Sequence, residues 1–275
     1  MVSRSQISQQ HKKTFSTFRY SALPYFSEKV GFLSYRSSGK EMKRILKKML
    51  PDSLKLQIRL WQRYFDEQQS RYRYSKEYNS KRIGNHILEM KQAIKKGEFN
   101  ENKIHNLKVV SEKIHHLVIQ PGEVFSFWKL VGKPSKNNFK EGRNLIKNHI
   151  SSGTGGGICQ FSSILYYTAL QAGLKIIERY PHSIDIYKDH ERFTPLGSDC
   201  TVVYGYKDLQ IQNHFPYPVQ FTSFVNEEEL HLHLVSPEKI ILNTIDFKYT
   251  EIEKGVWVET FAEDRLLCKN FYIRL

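Results

Sequence analysis

The sequence predicts an α+β fold in which a helical, basic N-terminal region precedes a central helix packed on a mainly antiparallel sheet. Three observations lead to this fold class. Helical periodicity is concentrated before residue 118, strand-like alternation dominates after residue 173, and one amphipathic helix lies between them behind a run of glycines. Helices followed by strands are typical of α+β proteins, whereas doubly wound proteins alternate the two.

The N-terminal part is predicted to contain four helices, at residues 41–50, 53–69, 80–96 and 101–117. Pro51-Asp52 separates the first two, and either Asp52 or Ser53 can serve as the N-cap of the second. The fourth repeats apolar residues at spacings of three and four, which is the pattern of one buried helix face: Ile104, Leu107, Val110, Ile114 and Leu117. Residues 1–40 show no sustained period and are predicted to be irregular.

The central helix is the clearest element. Its apolar positions recur at i, i+4, i+8 and i+11, so they share one face: Phe161, Leu165, Ala169 and Ala172. Gly173 follows as the stop signal. This spacing places Cys159 at or before the first helical turn.

The C-terminal half is predicted to be built from short strands. Pro121-Gly122 marks a turn, residues 124–127 are strand-like, and a polar connection runs on to Asn144. The remaining strands are predicted at residues 174–180, 183–187, 200–204, 208–213, 218–225, 229–235, 256–261 and 266–274. Clean alternation, as in Glu229–Leu234, indicates antiparallel pairing.

Cys159 has the sequence context of a nucleophile. The first N–H groups of a helix have no intrahelical partner, and the helix dipole favours a thiolate there. Glycines permit positive φ and a close approach of substrate to the backbone. The residues predicted to form the oxyanion or substrate-binding site around the thiol are Gly155, Gly156, Gly157, Gln160 and Ser162.

Two further residues complete a predicted triad. His182 is the predicted general base, and Asp199 is predicted to hold its imidazole in the reactive tautomer. Asp185 is the competing orienter, but on an extended strand it should point away from His182. The order Cys, His, Asp is also that of transglutaminase-like and papain-like folds, which is an analogy at the level of fold.

Each of these residues also has a structural interpretation. A cysteine in a helix is most often a small buried hydrophobe, His182 beside a proline can bond backbone in a turn, and Asp199 can cap a strand entry. Cys200 is predicted to lie in the core. Zinc held by Cys159, His182 and Cys200 is the alternative chemistry, but there is no C-x-x-C motif, so no cofactor is predicted. His231 and His233 share a strand face that is expected to be solvated.

The formal net charge of +14 predicts attraction to anionic partners. We expect an anionic substrate or an anionic membrane surface; no nucleic-acid-binding motif is present, so a specific nucleic acid is not predicted. There is no run of 18 apolar residues and no apolar segment near Met1, and the three cysteines are irregularly spaced. The expected location is the cytoplasm. Peripheral contact with the inner face of the membrane is compatible with that location.

Three runs together resemble the VanW family: Pro121–Phe127, Gly155–Ser163 and Glu178–Ser183. Thr201-Val202 with Tyr204, and Asp208–Asn213, extend the resemblance, which covers roughly Asn106 to Pro237. It divides the chain into a basic, mostly helical region (1–103), a VanW domain (104–237) and a C-terminal β extension (238–275).

The resemblance implies a link to glycopeptide resistance and the bacterial envelope, without implying catalytic residues. The expected activity is that of a thiol-dependent amidase, peptidase or acyl-transferase acting on a cell-wall peptide precursor. The alternatives are a non-catalytic binding module for wall precursors or for another resistance protein, and a zinc-stabilised structural domain.

Overall fold

A computed structural model describes residues 49–146, 149–185, 192 and 194–274. The chain forms two compact units, Met1–Met49 and Leu50–Leu275, and the described residues lie almost wholly in the second. The predicted helix at 41–50 therefore falls outside the described residues, apart from its last two positions.

The described residues form four helices and fourteen strands. The helices are α1 (Asp52–Ser70), α2 (Asn100–Ile114), α3 (Phe127–Val131) and α4 (Cys159–Gln171). The first strands are β1 (Glu77–Tyr78), β2 (His86–Ala93), β3 (Leu117–Ile119), β4 (Val124–Ser126), β5 (Glu141–Ile146), β6 (His149–Thr154) and β7 (Lys175–Glu178). The others are β8 (Ile184–Asp185), β9 (Gln210–Gln212), β10 (Val219–Val225), β11 (Glu229–Ser236), β12 (Ile245–Ile252), β13 (Gly255–Ala262) and β14 (Arg265–Arg274).

The strands form four sheets, in which nearly all pairs are antiparallel. Their orders are β1-β3-β10-β11-β2, β12-β13-β14-β8, β4-β9-β7 and the hairpin β5-β6. The one parallel pair among these strands joins β14 to β8, with Ile273 opposite Ile184. The predicted α+β class, with a mainly antiparallel sheet, is confirmed.

Helix α4 lies at the centre of the core. Its predicted apolar face is buried, since Phe161, Leu165 and Ala169 are fully shielded from solvent. The helix packs against β2, β7 and β11, so most of its surface is apolar rather than one stripe alone. Gly173 has φ +74°, the left-handed conformation expected just past a helix C-terminus. The start of α4 at Cys159 is also as predicted.

One predicted helix is wrong. Residues 80–96 contain strand β2, which pairs with β11 along its whole length, from His86 opposite Ser236 to Ala93 opposite Glu229. Local spacing suited either structure, and the tertiary pairing decided between them. The predicted helix 101–117 ends at Ile114, and Leu117 begins β3 instead.

The strand predictions differ from the structure at several places. Residues 200–204 form no strand but a loop with a single bridge, Val203 to Lys207. Strand β5 begins inside the predicted polar connection and pairs with β6, and β1, β6 and β12 were not predicted as strands. The other predicted strands from 174 onward have counterparts at β7 to β11, β13 and β14.

Candidate active site

The glycine run folds into a tight loop that ends at Cys159. Gly155 and Gly157 have φ +82° and +89°, a conformation that favours glycine. Gly156 meets a different constraint, because a Cβ there would lie 2.1 Å from the carbonyl carbon of Gly142 in β5. Asn106 of α2 fixes the same loop by donating its Nδ2–H to the Gly156 carbonyl at 2.9 Å. The three glycines therefore set the position of the residue that begins α4.

The Cys159 thiol is half-buried at the start of α4. Its Sγ lies 3.7 Å from Thr201 Oγ1 and 3.9 Å from the Val202 carbonyl oxygen. Burial raises the pKa of this thiol, but its hydrogen bond with His182 and the positive charge of that ring outweigh burial, so the net pKa is lowered. This is the electrostatic setting of a reactive thiol rather than of a core cysteine.

His182 is held between Cys159 and Asp199. Its Nδ1 lies 2.7 Å from Asp199 Oδ2, and its backbone N–H donates to the same oxygen at 2.7 Å. Because Nδ1 faces Asp199, Nε2 is the nitrogen left for Cys159. Burial lowers the pKa of His182, but its hydrogen bonds with Asp199 and Cys159 have a larger, opposite effect. The net result is a pKa raised to about 10. The imidazolium form is therefore favoured near neutral pH.

Two residues that the sequence did not single out anchor Asp199. Arg179 donates Nη2–H to Asp199 Oδ1 at 3.0 Å, and Tyr272 donates its hydroxyl to the same oxygen at 2.6 Å. Arg179 also donates to the Asp199 carbonyl at 2.8 Å and to Asn270 Oδ1 at 3.0 Å. Burial raises the pKa of Asp199, but the positive charges of Arg179 and His182 outweigh burial. The net pKa of this carboxyl is therefore well below its usual range, and the carboxyl is ionised.

The sequence held only a partial signal for these anchors. Arg179 lies in the run Glu178–Ser183 used for the family resemblance, but nothing in that run shows that its side chain is buried. Tyr272 lies on β14, 73 residues after Asp199. No local pattern relates residues that far apart.

Asp185, the competing orienter, lies elsewhere. It forms an ion pair with Arg192 and is buried on β8. The structure thus places Asp199, and not Asp185, against His182. This agrees with the expectation that an alternate position on the strand would point away.

The predicted oxyanion residues are placed differently from one another. Among the described backbone atoms no acceptor is found for the N–H groups of Gly157, Ile158 and Cys159. The Gln160 N–H bonds the Gly157 carbonyl at 3.1 Å, and its side chain donates to the Ala93 carbonyl at 2.8 Å. Ser162 is fully buried and donates to the Cys200 carbonyl at 2.7 Å. Ser162 therefore acts inside the fold, not at a surface that a substrate can reach.

The alternative metal site lacks a cluster. Within the described part of the chain, no group of three or more His, Cys, Asp or Glu side chains is arranged to hold a metal ion. Cys200 lies in the core, as predicted, and burial raises its pKa. The expectation of a solvated face is wrong for His231, which is 6% exposed and stacks on Phe224 with ring centroids 4.0 Å apart. His233 on the same strand is partly exposed.

No helix in the described ranges has both the length and the apolar character that a membrane crossing requires.

A match to a protein-family model falls on the segment that carries this site. A family model described as "VanW like protein" matches residues 102–235. This segment, just under half of the chain, is similar to the VanW family. The matched VanW segment contains Cys159, His182 and Asp199, whereas Tyr272 and helix α1 lie outside it.

Two curated proteins are similar to part of the chain. The chain is 32% identical over 133 residues to "Vancomycin B-type resistance protein VanW" of Enterococcus faecalis, covering 48% of each chain. It is 36% identical over 121 residues to "Uncharacterized protein YoaR" of Bacillus subtilis, covering 44% of this chain and 38% of that protein. The matches thus span less than half the length of either relative. No solved structure matches the chain, so the transglutaminase and papain analogy stays a prediction, as does the division at residues 103 and 237.

Proposed function

We propose that this protein is a thiol-dependent amidase, peptidase or acyl-transferase that acts on a cell-wall peptide precursor, as an accessory protein of B-type vancomycin resistance. The resistance part rests on the similarity to the E. faecalis protein of that name. The chemical part rests on one arrangement: Asp199 Oδ2 lies 2.7 Å from Nδ1 of His182, and the His182 ring in turn lowers the pKa of the Cys159 thiol. We also propose a cytoplasmic location. The basic charge supports peripheral contact with the inner face of the membrane.

In the proposed first step, the Cys159 thiolate attacks a carbonyl carbon of the substrate. A C–S bond forms, and the carbonyl oxygen gains the charge, which the N–H groups of Gly157, Ile158 and Cys159 are available to stabilise. His182 then gives its Nε2 proton to the amine as the C–N bond breaks, which leaves a thioester.

In the proposed second step, water or an acceptor amine attacks the thioester carbonyl. Neutral His182 takes a proton from that nucleophile, and Cys159 leaves as the thiolate. Asp199 stays ionised throughout and holds the ring, which is the role of the third triad member. Water as the nucleophile gives a hydrolase, and an amine gives an acyl-transferase.

Alkylation by iodoacetamide tests the chemical part. At neutral pH we expect Cys159 to react at least tenfold faster than Cys200 or Cys268, because its histidine partner lowers the pKa of Cys159. Cys268 is a matched control, since it is also half-buried but accepts a hydrogen bond from Asn270 instead. Mass spectrometry of native protein at timed intervals measures the three rates. Equal, slow labelling of all three thiols would contradict the proposal.

A resistance assay then separates catalysis from binding. Cys159→Ser should abolish the contribution to resistance, whereas Cys268→Ser should retain it. Retained function in a folded Cys159→Ser variant would instead indicate a binding module for wall precursors or for another resistance protein.

A further inference from the structure

A tight loop extends directly from the residues that contact the thiol. Thr201 and Val202 touch Cys159 Sγ, and the next residues turn back on themselves between Val203 and Lys207. Val203 N–H donates to the Lys207 carbonyl at 2.9 Å, and Lys207 N–H donates to the Val203 carbonyl at 2.8 Å. Backbone hydrogen bonds therefore fix Lys207 to the loop segment that contacts the thiol.

Helix α1 holds this loop from its other side. Arg63 donates Nε–H to the Gly205 carbonyl at 3.2 Å and forms an ion pair with Glu178. Gly205 has φ +77°, and a Cβ there would lie 2.4 Å from Leu56 Cδ1. The loop thus has bonded or packed neighbours on both sides, which fixes where its charged side chain can lie.

The Lys207 side chain lies beside the triad. Its Nζ is 5.7 Å from the centroid of the Tyr180 ring, two residues before His182. The negative charges that act on its ammonium are those of the Cys159 thiolate and the Asp199 carboxylate. In the described part of the chain no carboxylate forms an ion pair with Lys207, although Lys207 is only partly exposed. Asp208 is the next residue in the chain, and Glu178 pairs with Arg63 instead.

A half-buried ammonium without a paired carboxylate is costly unless something anionic occupies the site. Burial lowers the pKa of Lys207, which is the physical sign of that cost. A second cation borders the same loop, since Arg59 lies 5.9 Å from the centroid of the Tyr206 ring. The proposed chemistry of Cys159 does not use Lys207, so its position needs another explanation.

We propose that Lys207, backed by the Tyr180 ring, binds an anionic group of the substrate, a carboxylate or a phosphate, and so directs acidic acyl donors to Cys159. This inference rests on the proposed thiol chemistry and adds a substrate class to it. An ammonium is a point charge that accepts either anion. The bound group would lie on the loop side of the thiol, toward α1.

Two alkylating reagents of nearly equal size test this. Iodoacetate and iodoacetamide both form an S–C bond to Cys159 and release iodide, but only iodoacetate carries a negative charge. We expect the ratio of the iodoacetate rate to the iodoacetamide rate at Cys159 to fall about three- to tenfold in Lys207→Gln, the effect of removing one nearby charge. Lys207→Arg should keep most of the ratio.

The control is Lys175→Gln, which removes an exposed lysine on β7 and lowers the net charge equally. It should leave the ratio unchanged. An unchanged ratio in Lys207→Gln, or an equal fall in Lys175→Gln, would overturn the assignment. Acetate and inorganic phosphate, added separately as competitors of iodoacetate, then distinguish the two anions.

A direct titration covers the case in which Cys159 reacts with neither reagent, which would refute the thiol chemistry alone. Acetate and inorganic phosphate are added to the full chain, and the amide resonances of Tyr206 and Lys207 are followed by NMR. Saturable shifts in the wild type that vanish in Lys207→Gln would support the anion site. Shifts that are absent, or the same in both proteins, would overturn it.

Discussion

At the scale of single residues, the thiol and the imidazole of this site act as one titrating pair. The pKa of Cys159 is lowered and that of His182 is raised because each charged form stabilises the other. In the proposed reaction, the population that attacks the carbonyl would therefore already hold the proton that the leaving amine needs. A neutral thiol beside a neutral imidazole would need a proton transfer first.

This pairing predicts the pH dependence of Cys159 alkylation. The rate with iodoacetamide should reach half its plateau below pH 9, the ordinary value for the thiol, because the imidazolium favours the thiolate. In His182→Gln the midpoint should move up to or above that value, since burial then acts without a compensating charge. Rates measured from pH 5 to 10 check this. A midpoint that is the same in both proteins would contradict a Cys159–His182 pair.

The sequence pointed to Cys159, His182 and Asp199, whose catalytic roles stay predictions, but not to Arg179 and Tyr272, which hold Asp199. Cys159 follows from a helix start behind glycines, and His182 and Asp199 follow from polar residues at strand ends soon after it. Arg179 and Tyr272 act through burial and through contact between distant segments. Ser162 was misassigned because its place beside the cysteine in sequence does not show which way a helical side chain points.

At the scale of elements, the glycine loop and hairpin β5-β6 fit together through backbone alone. Gly156 and Gly142 touch without side chains between them. The sequence explained the glycines by conformation and by approach of substrate. The structure shows positive φ at two of them, and contact with the backbone of strand β5 at the third, a contact that a single sequence does not encode locally.

Gly156→Ala should therefore destabilise the protein by about 2 kcal/mol or more, because a methyl group there overlaps the Gly142 backbone. Gly97→Ala is the matched control, since a Cβ at Gly97 has no atom within 4 Å and should change stability by less than about 0.5 kcal/mol. Urea unfolding of the two variants measures the difference. Equal stabilities would show that the loop yields more readily than this contact implies.

The misread strand β2 illustrates the limit of periodicity at this scale. Residues 86–93 are mostly exposed and form the edge of the five-stranded sheet. An edge strand has few buried positions, so its alternation is weak and its polar residues also suit a helix. The pairing of β2 with β11 joins segments that are far apart in the sequence, so the local pattern does not indicate it.

At the scale of the whole molecule, the α+β class followed from the order of patterns along the chain, but the joining of its sheets did not. Strand β14 belongs to the sheet of β12 and β13, yet it pairs with β8 just after His182 and carries Tyr272 to Asp199. Parallel pairing of strands so distant in sequence has no local signature.

Loss of the Tyr272 hydroxyl tests this long-range bond. Tyr272→Phe should lower the free energy of unfolding by about 1–3 kcal/mol, because a buried donor to an ionised carboxylate is removed. Tyr249→Phe removes a hydroxyl from the same sheet, where it donates to the Leu196 carbonyl at 3.3 Å in a half-exposed position. That control should cost less than about 1 kcal/mol.

Denaturant titrations at neutral pH compare the two variants. Tyr272→Phe should also slow Cys159 alkylation, whereas Tyr249→Phe should not. If both variants lose the same stability and neither affects the thiol, the C-terminal sheet only packs near the site.

The contact between Tyr272 and Asp199 also bears on where a chimera of this protein can be cut. Similarity to relatives marks residues 102–235 as the shared segment, but the ionic network of the site continues into β14, and the loop that carries Lys207 is bonded to α1. A segment cut at those similarity limits would contain Cys159 and His182. It would lack β14, which contacts Asp199, and α1, which is bonded to the loop that carries Lys207. The unit that can be exchanged between proteins is therefore larger than the unit that sequence comparison recognises.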